Sequence, residues 1–483
     1  MKVTAVIAEY NPLHNGHVRH INAARKATGA DFLLAVMSGD FVQRGGPAVV
    51  SKYERTRSVL MSGADLVLEL PVEYSAGSLE FFAAGAISLI QSSGIVDCIS
   101  FGSECGDTEL LKGASDHIEF VTLPGPSAGS CILNRHDQSV VSGSTEAYDP
   151  VKAPCMSNIR DSLSRGINYS EAVNSDDSIP GHIRDILRLP NNLLGAAYIK
   201  AAKMLSFDCE FHTLRRTGSD YHDDSAGALS SSALRMELLN PLTAGFYTDD
   251  QHSTGLHNVM GSELLTDPGV NQSGPAPEKG LQFLSSRMPW NVYGSLCEYL
   301  NKYPAMSEDD MSLLLFYKLQ TFEADPEALT CFLDVSSSMA YKIVREYAHA
   351  SSFSDLCMKL KSKDLNYARI SRALTHILLD IRTADVRGYS EEGRHYYIRP
   401  LGLCSSSSAI MHELKLHSDV PIISKNADAP SVLRKYFPDE TRYHHALSMF
   451  RRGILASDLY NKTACSKCRQ LFISEYERSP VIL

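Results

Sequence analysis

Short apolar runs and helix-like stretches take turns along the first hundred residues. The runs at 3–8, 32–37, 66–70 and 95–101 are brief, largely apolar and bounded by turn residues, so each predicts a buried strand. The segments between them, 16–27, 52–62 and 78–92, predict helices. Strict alternation of strand and helix predicts an α/β fold with a Rossmann-like, doubly wound parallel sheet. Ligands of such sheets lie outside the carboxyl ends of the strands. Ser38, Gly39 and Gly102 follow strands here and mark the expected ligand side.

The rhythm fails over residues 113–157, which are rich in Ser, Gly, Pro and Asp. With few periodic apolar positions they predict an inserted, flexible surface excursion. A helical pattern returns at 158–173. Pro190-Asn191-Asn192 precedes a helix over 193–204 whose cap is Asn191 or Asn192. A strand at 210–214 runs into Arg215-Arg216. Residues 245–285 are again polar and turn-rich and suggest a domain edge. The expected organisation is a sheet domain over 1–243, a linker over 244–284 and a mainly helical domain over 285–483. In that last part 313–319, 336–349 and 367–383 predict helices. Ile370, Leu374, Ile377 and Ile381 form an apolar stripe on the third. Arg369, Arg372 and His376 lie on an adjacent face, either a solvated edge or a basic strip continued from Lys359, Lys361 and Lys363. Residues 396–425 predict strand–helix–strand, and the tail from 426 is helical and polar.

Composition narrows the class. The 483-residue chain has ordinary apolar and charged content, no run long enough to span a bilayer and no leader-like opening, so a cytoplasmic protein without membrane partners is expected. Eleven scattered cysteines do not suggest a disulfide framework, and Cys465 and Cys468 form an isolated C-x-x-C that gives little support to a zinc site. A net charge of −10 does not favour nucleic acid, yet a local basic face can coexist with it.

The candidate chemistry sits behind the first strand. His14-Asn15-Gly16-His17 is an H-x-G-H pattern at a predicted helix start. Unpaired N–H groups there favour phosphate, two imidazoles can donate to its oxygens, and Gly16 lets the backbone approach. A metal pair or a plain cap would use the same residues. A second grip is Leu229-Ser230-Ser231-Ser232-Ala233-Leu234-Arg235, where hydroxyls open a helix and Arg235 adds a forked cation one turn on.

The two segments, in this order, resemble the signature pair of the HIGH-type nucleotidyltransferases. Glu9-Tyr10-Asn11-Pro12, Met37 to Gly45, Asp65 to Pro71, Phe101-Gly102-Ser103-Glu104, Pro190 to Gly195, the Arg216…Tyr221-His222 segment and Tyr397 to Gly402 narrow the resemblance to the bacterial tRNA(Met) cytidine acetate ligase family. The resemblance implies activation of acetate by ATP to acetyl-adenylate and pyrophosphate. Transfer of the acetyl group to the wobble cytidine of elongator tRNA(Met) then gives N4-acetylcytidine. It implies catalytic roles for His14, His17, Ser231 and Arg235. ATP contacts are implied for Ile7, Ala8, Glu9, Tyr10, Asn11, Pro12, Leu13, His14, Asn15, Gly16, His17, Val18, Arg19 and His20, and for Gly102, Asn191, Asn192 and Arg216. Mg²⁺ is implied to accompany the nucleotide, with no protein metal-ligand set expected. Lys363, Arg369 and Arg372 are the expected tRNA contacts.

The 113–157 insertion and Asp364 beside Lys363 depart from the family pattern, and an acidic group facing phosphate would weaken RNA binding. Two other readings share these residues. One is a different HIGH-type nucleotidyltransferase that adenylylates a small molecule. The other is a non-catalytic nucleotide- or RNA-binding module, against which the presence of His14, His17 and Arg235 argues.

Overall fold

The computed structural model describes residues 1–120, 172–173, 176–216, 231–240, 277–362 and 365–483. Its first half follows the expected alternation: β1 (Val3–Ala8), α1 (Asn15–Thr28), β2 (Phe32–Ser38), α2 (Lys52–Met61), β3 (Leu66–Leu70), α3 (Val72–Ser75), α4 (Leu79–Ser93), β4 (Cys98–Ser103) and α5 (Thr108–Ser115). Then come α6 (Gly181–Leu187), α7 (Pro190–Met204), β5 (Glu210–Arg215) and α8 (Ser231–Leu238). Expected features over 121–171, 217–230 and 241–276, including most of the insertion and the linker, lie outside the described residues.

The described strands make one sheet in the order β5-β4-β1-β2-β3 with all neighbours parallel. The chain winds from β1 to β2 and β3, then returns to the other side of β1 for β4. The order therefore reverses between β1 and β4, which makes a crevice at their carboxyl ends. The strands read as apolar runs because helices cover both faces: Val3, Ala5, Leu34, Val36, Leu66 and Leu68 point into one core, and Val6, Leu33, Ala35 and Val67 into the other.

The second half supplies α9 (Pro277–Arg287), α10 (Trp290–Leu300), α11 (Ser312–Gln320), α12 (Ser337–Tyr347), α13 (Phe353–Leu360), α14 (Tyr367–Leu378), α15 (Thr383–Glu391), α16 (Ser408–His417), α17 (Ala429–Tyr436) and α18 (Glu440–Cys468). It also extends the sheet. Strand β6 (Pro400–Leu403) pairs antiparallel with β3, and β7 (Val481–Ile482) pairs with β6. Where a strand–helix–strand unit was expected, 396–425 gives one strand, a helix and an isolated bridge between Ile398 and Ile422. The helix expected over 367–383 stops at Leu378, because Asp380 turns left-handed, and Ile381 reaches the core from a loop instead. The tail is less polar than its composition suggests, since α18 buries Leu447, Phe450, Ile454 and Tyr460.

The halves are joined by buried charge. Lys52 is fully buried and brings Nζ to 2.7 Å from Glu69 Oε1, Glu475 Oε1 and Ser457 Oγ. Arg399 pairs with Glu69 Oε2 at 2.8 Å and also with Glu475. Burial alone would raise the Glu475 pKa, but Lys52 and Arg399 overcome it and hold the carboxyl down to about 2. His376, assigned above to a surface face, is instead fully buried, its ring between the carbonyls of Leu333 and Ala76. Four of these anchors, Ser457, Glu475, Arg399 and His376, lie beyond residue 370 while their partners Lys52, Glu69 and Ala76 lie before residue 80.

A second buried group carries a pH dependence. Glu73 in α3 is fully buried and its pKa is pushed up to about 7, chiefly by desolvation, with Arg452 opposing at 3.8 Å. The folded chain thus holds the proton more tightly than an unfolded one, whose carboxyl titrates near 4.5. The stability this confers is present in full below pH 4.5 and is lost as the pH rises to about 7. Glu73→Gln is expected to remove that slope and to be more stable than the parent above pH 7, by up to about 3 kcal/mol. Urea unfolding of both proteins at pH 5 and pH 8 measures it.

Candidate active site

Two histidines build the start of α1. His14 is the N-cap residue in extended conformation, and its Nδ1 accepts from the Gly16 N–H at 3.1 Å. His17 Nδ1 in turn accepts from the His14 N–H at 3.3 Å. This is a reciprocal capping box made of imidazoles in place of the usual hydroxyl and carboxylate. The rings stack with centroids 3.8 Å apart, and Tyr10 packs edge-on against His17. A Cβ at Gly16 would lie 2.9 Å from His14 Cε1, so glycine is what lets this ring fold over the helix start.

The cap fixes the proton positions. Burial lowers the pKa of His14 to about 4, with Arg216 contributing. Burial also takes His17 well below the ordinary value, helped by His14, Arg216 and His20. Both rings are therefore neutral near pH 7. Each Nδ1 is occupied as an acceptor, so the single ring proton of each belongs on Nε2. The helix start thus presents two uncharged Nε2–H donors in addition to backbone N–H groups.

The loop before α1 is held from all sides. Ile7 is buried and Ala8 half-buried at the end of β1; Tyr10, Asn11, Pro12 and Leu13 are buried. Glu9 Oε1 accepts from the Gln43 N–H, and Asn11 Oδ1 from the Val49 N–H, both at 2.8 Å. Arg55, almost fully buried, gathers the carbonyls of Glu9, Ser38, Gly39 and Val50. Along α1, Asn15 donates to the Ser286 carbonyl, Val18 is half-buried and Arg19 is exposed. His20 Nε2 meets Ser100 Oγ at 3.0 Å.

Arg235 in α8 comes to the same place. Its guanidinium donates to the Asn11 carbonyl at 2.8 Å and to Ser232 Oγ at 3.0 Å. Arg44 donates to the same hydroxyl at 3.1 Å. The serine that joins these cations is Ser232 rather than Ser231, which is half-buried beside it. Arg44 carries no local sequence signal that distinguishes it from any turn arginine, and only the fold brings it to Ser232.

The opposite wall is formed by Gly102, Arg216, Asn191 and Glu104. Arg216 lies against Gly102, whose added Cβ would meet Arg216 Cγ at 3.4 Å. Arg216 donates to Asn191 Oδ1, and Asn191 Nδ2 donates to Glu104 Oε1 at 2.6 Å. The cap expected at Asn191 or Asn192 is not there: α7 begins at Pro190, which needs no N–H partner at that position, and both asparagines lie in the first turn. Asn192 is buried, and its Oδ1 accepts from the N–H groups of Glu104 and Cys105. It shapes the turn after β4, whereas Asn191 reaches Arg216.

The expected RNA strip divides. Lys363 lies outside the described residues. Arg369 is half-buried at the start of α14. Arg372 turns inward, its side chain only 18% exposed and Nε 3.7 Å from Asp334 Oδ2. The turn of the Asp40–Pro47 loop packs here: Gly45 has φ +81°, a Cβ on it would stand 2.3 Å from the Arg372 N, and its carbonyl accepts from Ser371 Oγ at 2.7 Å. No helix among the described residues is long and apolar enough to cross a membrane.

With its parallel sheet reversing at β1/β4 and an imidazole-capped helix in the crevice, the chain is a HIGH-type nucleotidyl transferase by its family match. The HIGH Nucleotidyl Transferase family model matches residues 1–121 and 143–471. A tRNA(Met) cytidine acetate ligase of Thermoanaerobacter sp. strain X514 is 30% identical over 467 residues, covering 95% of each chain. One of Clostridium novyi is 29% identical over 462 residues, covering 94% of this chain and 96% of its own. The crystal structure of Thermotoga maritima TmcAL bound with alpha-thio ATP superposes with a TM-score of 0.75 at 22% identity over the full length of both chains. The chain belongs to the tRNA(Met) cytidine acetate ligase family.

Proposed function

We propose that this protein activates acetate with ATP and transfers the acetyl group to the wobble cytidine of elongator tRNA(Met), giving N4-acetylcytidine. The observation that carries the first step is the pair of neutral Nε2–H donors at the start of α1. The names of the relatives carry acetate and tRNA. Attack of an acetate oxygen on the α-phosphorus breaks the bond to the β-phosphate and releases pyrophosphate. His14 and His17 would donate to α-phosphate oxygens, and neutral rings let those bonds strengthen as the transition state forms. Arg235 and Arg44, with Ser231 and Ser232, would hold the leaving pyrophosphate. Gly102 and the Asn191–Arg216 pair would line the nucleotide. Mg²⁺ belongs to the proposal as a companion of the phosphates. Among the described residues no three His, Cys, Asp or Glu side chains gather to cage a metal.

Residues 1–243 would thus serve ATP and acetate, and 285–483 the tRNA. Mass analysis of nucleosides from elongator tRNA(Met) incubated with protein, ATP and acetate tests the whole reading. Acetate-independent exchange of pyrophosphate into ATP would favour a different nucleotidyl transfer. For the RNA step, Arg369→Ala is expected to reduce acetylation and lower the salt slope of tRNA binding by about 1 while sparing adenylate formation. Arg372→Ala is expected instead to destabilise the fold by about 1–3 kcal/mol by stripping the half-buried Asp334 of its cation. Salt-dependent binding assays and urea melts of the two variants separate these outcomes.

A further inference from the structure

Beneath the phosphate-facing end of α1 three side chains from three elements form a hydrogen-bonded line. His20 Nε2 and His212 Nδ1 each stand 3.0 Å from Ser100 Oγ, one on either side of the hydroxyl. Ser100 sits in β4, two residues before Gly102, and is fully buried. His212 sits in β5 opposite it in register. His20 lies one turn along α1 from His17. The line therefore runs from α1 across β4 to the outer strand of the sheet.

A hydroxyl has one proton. It must donate to one ring and accept from the other, so the two imidazoles play opposite hydrogen-bonding roles toward it. When His20 carries its proton on Nε2, its Nδ1 is a free base site, and His212 accepts on Nδ1 and keeps its own proton on Nε2. The opposite arrangement is reached by moving protons along the line, with no ring charged at either end. That is the requirement for a proton wire, and nothing in the phosphate-binding chemistry above uses it.

We propose that His20, Ser100 and His212 form a relay that takes away the proton released when acetyl is transferred to the cytidine amine. This rests on the acetyl-transfer reading above. As the N4 amine attacks the acetyl carbonyl, the C–N bond forms, the mixed anhydride C–O bond breaks and AMP leaves with the electron pair. The amine proton passes to His20 Nδ1, the His20 Nε2 proton to Ser100 Oγ, the Ser100 proton to His212 Nδ1, and the His212 Nε2 proton to water. Atoms and charge balance without another reactant. Burial gives the direction. His20 is held neutral by desolvation, with His212 and Arg216 adding to the effect, so a proton is not retained there. The groups facing it are His17 from its own helix, Ser100 from β4, and His212 and Arg216 from β5 and its end. His212 is the less enclosed end of the line. His20 is the group placed to meet the amine; Ser100 and His212 act through it as positioning residues.

The test separates the two half-reactions in full-length Ser100→Ala and His212→Gln. Glutamine can hydrogen-bond the serine but cannot pass a proton. Both variants are expected to form acetyl-adenylate within about 3-fold of the parent, which also reports that they fold. Single-turnover transfer from preformed acetyl-adenylate to elongator tRNA(Met) at pH 6.5 is expected to fall about 10²-fold in each, within the range for a lost acid–base step. The deficit should shrink as pH rises, because hydroxide replaces the relay. Transfer by His212→Gln at the parental rate, or a pH-independent deficit shared equally by both half-reactions, would overturn the relay. Wild-type protein that makes acetyl-adenylate yet acetylates no tRNA would overturn the acetyl-transfer reading and the relay together, before any variant is made.

Discussion

His17→Ala should lower the rate of acetyl-adenylate formation by about 10²–10³-fold, the usual cost of one preorganised donor at a developing charge. ATP affinity should change only a few-fold, because a donor to the α-phosphate oxygens gains most of its worth in the transition state. The structure adds a second cause in the same direction. His17 accepts from the His14 N–H and stacks on the His14 ring, so its removal also frees the cap. His17→Gln separates the two: a glutamine can occupy the cap but presents its donor from a different point. Pre-steady-state adenylate formation and equilibrium ATP binding for the two variants provide the measurement. Near-normal adenylate formation in the alanine variant would remove His17 from the chemistry. The rates should also show no loss as pH falls from 8 to 6, since both rings are already neutral across that range.

The largest loss of stability is expected for Lys52→Met. It leaves Glu69, Glu475 and Asp40 in the interior with Arg399 and Arg55 as the nearby cations. Removing one partner of a buried ionic cluster costs about 3–5 kcal/mol, more than the cluster contributes relative to an apolar substitute. The sign with pH is fixed by Glu475. Its pKa falls on folding from 4.5 to about 2, so its stabilising share is present above pH 4.5 and is lost as the pH drops towards 2. The difference between parent and variant should therefore be greatest near neutrality and narrow below pH 4.5. Urea unfolding at pH 7 and pH 4 shows it; an unchanged midpoint at pH 7 would mean water reaches the cluster.

The parallel sheet was legible in the sequence because its strands are buried on both faces and read as apolar runs closed by turn residues. The imidazole cap of α1 was legible because His14, Gly16 and His17 are neighbours in the chain. What could not be read depends on partners far away in sequence. Lys52 looks like an ordinary first-turn helix residue, and only the approach of Glu475 and Ser457 makes it a buried cation. Arg372 and His376 follow the rhythm of an exposed helix edge, yet Asp334 and the carbonyls of Leu333 and Ala76 enclose them. Ser231 and Ser232 are indistinguishable in a run of serines; only the fold brings Arg235 and Arg44 together on the hydroxyl of Ser232. Asn191 and Asn192 look like equivalent caps, and the one-residue step around α7 sends one to the crevice and the other into the β4 turn.

The antiparallel strand β6 has a consequence for how the chain is made. While the protein emerges from the ribosome, β1 to β4 appear within about the first hundred residues, but the strand that covers β3 follows some three hundred residues later. Throughout that interval Leu66–Leu70 is an apolar strand with one unpaired edge, and Lys52 waits without Glu475. Such an edge recruits other strands, so nascent chains should be prone to associate with one another or to engage chaperones until Pro400–Leu403 arrives. Folding of the catalytic sheet is thereby tied to synthesis of the helical half.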